Sequence, residues 1–308
     1  MTKRPRTAVE SAKMSGKWER STFWAGDLDA LVADGVVVEG DVRLPGDESI
    51  PAPAADERVC FQAFFHRGFA LPLHPFVRGL LYSYRLQLHD LTPNGILHIA
   101  CFITLCEAFL GIYPHWGLWR RLFNVKRTNC EYAVGRVGIS IGDKHSYFDL
   151  EKIDSVSGWR RGWFYLKDRF IVGQQFGLAS FNPGTRVVRQ PSWSHSLTEV
   201  ESSELTPFLE RISVLKDNLT GGQLISVFVG RRVQPLQHRT RPMWQYEGLG
   251  DSTRCSPEEL EPDALLARIQ HVTKCSSISE MRLVLPYASD HPPPPVGAHV
   301  PSFVWTST

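Results

Sequence analysis

FFHRGFALPLHPFVRGLLYSYRLQLHDLTPNGILHIACFITLCEAFLGIYPHWGLWRRLF, residues Phe64 to Phe123, is the densest apolar and aromatic run in the chain, and its punctuation predicts three helices. His74-Pro75 sets the first start, because proline fits the first helical turn, where its missing N–H has no intrahelical partner to lose. Phe76, Val77, Leu80, Leu81, Tyr84 and Leu88 recur at steps of three to four and share a face, leaving Arg78, Arg85 and Gln87 mostly off it. Thr92-Pro93 opens the second helix, with threonine as N-cap and proline as the first helical residue. From Ile96 to Leu110 this helix is apolar nearly all round, broken by His98, Thr104 and Glu107, and Gly111 is suited to end it. Such a helix lies in a core or spans a membrane. A span needs about 20 predominantly apolar residues, whereas this run is shorter and carries Glu107, so it reads as a core helix. The third helix follows Tyr113-Pro114, with Trp116, Trp119, Leu122 and Phe123 inward and Arg120 and Arg121 outward. Short connections favour antiparallel neighbours packed around the central helix.

Upstream, Glu57 to Phe65 continues a helical pattern, and Arg43 to Asp56 is a loop rich in Pro, Gly and Ala. Val36-Val37-Val38 reads as a short strand, and Ser21 to Gly35 as a helix capped by Asp27. Downstream the period changes: Glu131 to Ile141 alternates, Gly142-Asp143 is a turn, and Tyr147 to Leu150 is placed to pair back across it. Trp159 to Lys167 reads as a further strand. The expected fold class is α+β, a mainly α-helical core over 57–125 with a small antiparallel β element over 130–190, in one domain of residues 21–190. A disordered basic tail (1–20) precedes it, and a polar linker (191–203) leads to a C-terminal helical segment (204–280). That segment holds a helix over Glu204 to Asp217 with Pro207 near its start, a second over Gln223 to Val233, and a third opening at the capping-box spacing of Ser256 and Glu259. A flexible Pro-rich tail (281–308) ends the chain.

With 43% hydrophobic and 21% charged residues in a chain of 308, a sizeable core can be buried. The formal net charge of +2 does not by itself indicate nucleic acid or membrane. Charge is uneven, however: Lys3, Arg4, Arg6, Lys13, Lys17 and Arg20 stand against Glu10 and Glu19 in the first twenty residues. The start lacks the apolar run of a signal peptide, so nucleus or cytoplasm is the expected location, with no transmembrane segment. The cysteines Cys60, Cys101, Cys106, Cys130, Cys255 and Cys275 show no paired spacing and read as reduced thiols.

Several segments together give the chain a family likeness. They are Arg67-Gly68-Phe69, His74-Pro75-Phe76 with Arg78-Gly79-Leu80-Leu81, Leu91-Thr92-Pro93-Asn94, and Cys106 to Ile112 with Pro114-His115 and Trp119. Further on come Tyr147-Phe148, Gly158-Trp159-Arg160-Arg161 with Trp163-Phe164-Tyr165, Leu219-Thr220-Gly221, and Pro235-Leu236-Gln237 with Met243-Trp244. On these the chain, from residue 18 to 250, resembles the plant gypsy-type transposon domain family, often labelled a transposase of gypsy type. The resemblance implies an origin in a long-terminal-repeat retrotransposon. It implies no catalytic residue, because that family has none assigned.

The residues weigh the same way. Strand-transfer chemistry needs carboxylates that hold two metal ions on an RNase H-like fold, in which strands precede helices. Here helices come first, and Asp143, Asp149, Asp154 and Asp168 fall in turns. No Asp-Thr/Ser-Gly and no Cys-x-x-Cys is present, against an aspartic protease and a zinc knuckle. His98, Cys101 and Cys106 spread around one helix and read as core filling rather than a zinc site. No catalytic residue, metal site, cofactor or small-molecule substrate is therefore expected. Glu107, a carboxylate in an apolar helix, is expected to be a structural buried charge paired with Arg67, Arg78 or Arg120. Nucleic-acid contacts are assigned to Arg160, Arg161 and Trp163, which mix cations with aromatics as single-strand binders do, although strand aromatics more often face a core. Arg231, Arg232, Arg239 and Arg241 are assigned as phosphate contacts after a helical pair, which alternatively is an ordinary hairpin. The expected function is that of a gag-like or accessory protein without a catalytic site, acting through self-association and RNA or DNA contacts. The alternatives are a DNA-binding, transposase- or integrase-like protein and a decayed or domesticated element.

Overall fold

Each of the three core helices starts where a side chain can accept a backbone N–H that the helix leaves unpaired. His74 accepts from Phe76 N and opens a helix over Pro75–Tyr84; Thr92 accepts from Gly95 N and opens one over Pro93–Thr104. His115 accepts from Leu118 N ahead of a helix over Trp116–Leu122. The computed structural model describes residues 17–221, apart from 34–36, 70, 72, 111, 151–154, 169–175, 185–186, 195 and 219. In chain order these form α1 (Ala25–Ala33), β1 (Val42–Arg43), β2 (Glu57–Phe61), α2 (Gln62–Phe65), α3 (Pro75–Tyr84) and α4 (Pro93–Thr104). Then follow α5 (Trp116–Leu122), β3 (Phe123–Arg127), β4 (Val137–Ile141), β5 (Trp163–Lys167) and α6 (Glu199–Asn218). Six helices and two small antiparallel sheets make the described part α+β.

Several elements differ from the expectations. The helix expected from Glu57 is a strand, and only Gln62–Phe65 is helical. Val59, Cys60 and Phe61 are all buried, so β2 lacks the period-two alternation by which a half-buried strand is read. A strand therefore precedes the core helices, paired antiparallel with β5 from Glu57↔Lys167 to Phe61↔Trp163. On its other side β5 pairs with β1 through Val42↔Leu166 and Arg43↔Tyr165, so the last strand is the central one. Val37 and Val38 are not in a strand; the short strand falls at Val42–Arg43. The first helix carries Asp27 inside it, where the carboxylate reaches back to accept from Trp24 N.

In the core stretch α3 stops at Tyr84, with Arg85 in the left-handed conformation, and Leu88 lies in a separate 3-10 turn, Leu88–Asp90. After Thr104 the chain runs through a π-helical turn, Leu105–Leu110; Gly111 lies outside the described residues. Phe123, expected as the last inward residue of the third helix, begins β3. That strand pairs with β4 from Phe123↔Ile141 to Arg127↔Val137. It takes the place expected of Tyr147 to Leu150, where Tyr147, Phe148 and Leu150 are buried without forming a strand.

The residues expected as a linker are structured. Pro191–Ser194 is a 3-10 turn that buries Trp193, whose Nε1 donates to the Tyr84 carbonyl at 3.1 Å. Helix α6 begins at Glu199 and holds Pro207 in its interior; Thr198 Oγ1 accepts from Glu201 N and Glu201 Oε2 accepts from Thr198 N. Leu205, Ile212 and Leu215 bury one face of it, and Arg120 of α5 meets Glu201 at 3.5 Å. The helices expected beyond Gly221, residues 1–16 and the Pro-rich tail lie outside the described residues, but Lys17 to Arg20 of the expected disordered tail are described and ordered, with Trp18 buried in the core and Lys17 bonded to Glu131.

One core joins helices and sheet. Trp119 stacks on Phe123 at 4.3 Å, meets Phe102 edge-on at 5.3 Å and donates to Tyr84 Oη at 3.0 Å. Around β2 and β5, Phe61 meets Trp159 at 4.9 Å and Phe23 stacks on Phe164 at 4.4 Å. Each such pair contributes about 0.5–1.5 kcal/mol beyond its buried area.

Candidate nucleic-acid interface

Arg160 and Arg161 sit in a 3-10 turn, Trp159–Arg161, rather than in the strand expected from Trp159. Gly158 enters that turn at φ 66, and Trp159 anchors it against Phe61 and Phe64. Strand β5 then starts at Trp163, which is 0% exposed and donates through Nε1 to the Glu19 carbonyl at 2.8 Å. Its ring has no face open to a base, which corrects its assignment as a nucleic-acid contact. The reason is position: as the first residue of the central strand, Trp163 is covered on both sides.

The two arginines behave differently. The Arg160 guanidinium lies 4.5 Å from the centre of the Tyr132 ring and 5.0 Å from that of Trp159. Lys17 Nζ lies 5.7 Å from the same tyrosine ring. Tyr132 belongs to the loop between β3 and β4, which Lys17 borders through Lys17 N donating to Glu131 O and Ala133 N donating to Lys17 O, both at 3.0 Å. Thr128 Oγ1 donates to Gly135 O at 2.8 Å and Arg136 Nε to Tyr132 O at 2.9 Å, which closes the loop on itself. Arg161 is exposed, with its carbonyl bound by Thr22 N at 2.7 Å. Lys17 and Arg160 thus meet over Tyr132, with Arg161 next along the chain and Glu19 and Glu131 as acidic neighbours. Sequence reasoning missed Lys17 and Tyr132, since nothing local in the chain links residues 17, 132 and 160. Arg231, Arg232, Arg239 and Arg241 lie outside the described residues.

A second charged cluster was also missed. Arg78, expected mostly off the apolar face, is buried at 2% exposure and grips Asp168, with Nη2 2.5 Å from Oδ1 and Nη1 3.4 Å from Oδ2. Arg58 Nη2 adds a contact at 3.6 Å and donates to the Leu178 carbonyl, while its Nη1 serves the carbonyls of Ala55 and Glu57. These side chains border a cavity of about 230 Å³ with Asp41, Lys167 and the apolar Leu71 and Leu178. The hydrogen bonds make the cluster a lock between α3, β2 and the end of β5. Of the arginines expected to face Glu107, Arg78 pairs with Asp168 and Arg120 with Glu201; the Glu107 side chain lies outside the described residues.

The other carboxylates weighed for catalysis are engaged or dispersed. Asp143 accepts from Ser146 and pairs with Arg121 at 2.7 Å, Asp149 is exposed, and Asp154 lies outside the described residues. The Arg43 guanidinium, bidentate on Glu57, holds that carboxyl below its ordinary range. Cys101 and Cys106 are fully buried, and burial pushes the Cys101 thiol up and His98 down to about 4. Among the described residues no group of three or more His, Cys, Asp or Glu is placed to hold a metal ion, and no helix is long and apolar enough to cross a membrane.

No curated protein and no solved structure matches the chain. A family does match, over residues 59–127, which run from Val59 in β2 to the last residue of β3 and take in all three core helices. The family is described as "Putative gypsy type transposon", and the central helical stretch of the chain, residues 59–127, is similar to it.

Proposed function

We propose that the chain is a retrotransposon-derived, gag-like or accessory protein that works through protein–protein and RNA contacts rather than through catalysis. One observation supports this reading above the others. The family segment, 59–127, forms the buried scaffold, while the exposed Lys17 and the half-buried Arg160 meet over Tyr132 outside it, with the exposed Arg161 next along the chain. A scaffold carrying a peripheral cationic face suits binding to a polyanion better than turnover in a pocket. The engagement of Asp143 and Asp168 in ion pairs points the same way.

The full chain titrated with labelled RNA in fluorescence anisotropy, alongside light scattering for self-association, tests the proposal. RNA-dependent anisotropy together with RNA-dependent growth in mass is the expected result. A strict monomer that ignores RNA would refute it, as would Mg²⁺- or Mn²⁺-dependent strand cleavage abolished by Asp149→Ala.

A further inference from the structure

We infer that the cavity beside the Arg78–Asp168 pair binds a small monocarboxylate with an apolar body. The inference is independent of the RNA reading and goes beyond it. It starts from charge. Two guanidinium groups, those of Arg78 and Arg58, converge on the single carboxylate of Asp168, and Arg78 holds that carboxylate through both of its Nη atoms. Arg58 is left with a contact at 3.6 Å, although its side chain is only 14% exposed. Its other bonds go to the carbonyls of Ala55, Glu57 and Leu178, and its sealed Nε has no acceptor among the described residues. A cation so far out of water needs a counter-charge, and carbonyl dipoles supply only part of one. Lys167 and Asp41, which also border the cavity, add one charge of each sign, so its described wall carries three cations and two carboxylates.

The space and its apolar wall set the rest of the ligand. At about 230 Å³ the cavity exceeds the roughly 150 Å³ that holds a benzene ring in an apolar protein interior. Phe69, Leu73 and Leu166 line it and are buried, and Leu71 and Leu178 line it half-buried, nearer to solvent. A ring or short alkyl chain covers this wall and removes it from water. A carboxylate on that body supplies the missing charge to Arg58. The exposed Lys167 ammonium stands on the same cavity and has donors to spare, since its one hydrogen bond goes to the Gly40 carbonyl at 2.8 Å. A bare phosphate would meet the charge and leave the apolar wall wet, and an amine would add a fourth cation. Arg58 is on β2, Arg78 on α3 and Asp168 directly after β5, so the bound ligand ties three elements together and resists unfolding.

The test titrates the full chain with benzoate, benzylamine, benzyl alcohol and inorganic phosphate by calorimetry and thermal melting, beside Arg58→Met and Leu178→Trp variants. Arg58→Met removes the cation, whereas Leu178→Trp fills the cavity and leaves every charge and the Leu178 carbonyl in place. The expected result is saturable binding of one benzoate per chain with a raised melting midpoint, at least about tenfold tighter than the amine, the alcohol or phosphate. Each variant should lose about tenfold or more in benzoate affinity. Should Arg58→Met fail to fold, Leu178→Trp, checked by its own cooperative melt, decides alone. An alcohol or amine bound within about tenfold of benzoate would overturn the anionic head, and phosphate within that range would overturn the apolar body. A folded Leu178→Trp that binds benzoate like the parent would overturn the location. The absence of saturable benzoate binding would overturn the inference outright and leave the RNA reading untouched.

Discussion

Arg78 is the residue whose loss of company would matter most. At 2% exposure it has traded water for Asp168, so removing the carboxylate strands a buried guanidinium. Asp168→Ala should cost about 3–5 kcal/mol, whereas Arg78→Met combined with Asp168→Leu should cost less than either single change. Urea denaturation of the three variants measures this; a loss under 1 kcal/mol for Asp168→Ala would contradict the lock. Histidine burial sets a pH response. Burial, with the Arg136 charge adding to it, lowers His89 to about 3 from its ordinary 6.5. The unfolded chain then takes up that proton first, so stability is full above pH 6.5 and falls by about 1.4 kcal/mol per pH unit towards pH 3. Asp90 opposes this, because burial raises it to about 6 and the folded chain gains its proton before the unfolded one. His98, lowered to about 4 by burial, adds to the histidine side, so the folded state should weaken from pH 6.5 to 4. His89→Asn should flatten that decline by about 1.4 kcal/mol per unit; parallel pH profiles would show that His89 does not carry it.

At the level of elements, two turns carry opposite expectations. Arg85 closes α3 at φ 53, a conformation that costs a side chain about 1 kcal/mol and costs glycine nothing. Arg85→Gly should therefore raise the thermal midpoint, and no rise would contradict the reading. Gly135 holds φ 66 in the loop that carries Tyr132, and a Cβ there would stand 2.7 Å from the Trp159 ring. Gly135→Ala should lower the midpoint by several degrees, since strain and overlap add. How much could be read beforehand depended on how local each cause is. The starts of α3 and α4 were legible in His74-Pro75 and Thr92-Pro93 because caps act within three residues. Strand β2 was not, because Val59, Cys60 and Phe61 are buried together and their partner strand lies far along the chain. Of the candidate site, the sequence draws attention to Arg160 and Arg161 by composition alone, a basic pair set among aromatics. Trp163 was misassigned, since an aromatic in a basic strand gives no sign of which way it faces, and Lys17 and Tyr132 meet Arg160 only through tertiary pairing.

On the scale of the whole molecule, the family segment is smaller than the folded unit. Residues 59–127 include only the last three residues of β2 and nothing of β5, and β3 but not β4. A fragment of residues 59–127 should remain unfolded or aggregate, with two strands and much of the Phe61–Phe64–Phe65 face uncovered, whereas residues 17–221 should melt in one cooperative step. Circular dichroism melts of both fragments decide it, and a cooperative melt of the short one would contradict the architecture. The central place of β5 also bears on time. Trp163 bonds the Glu19 carbonyl across 144 positions, and Tyr165 accepts from Ala52 N across 113. Contacts of such sequence separation form late, and synthesis delivers β1, β2 and every core helix before the strand that joins them. A ribosome carrying this chain therefore holds a nearly complete apolar core with its middle strand still in the exit tunnel, so the newborn protein needs shelter from its neighbours until the Trp163–Lys167 segment emerges.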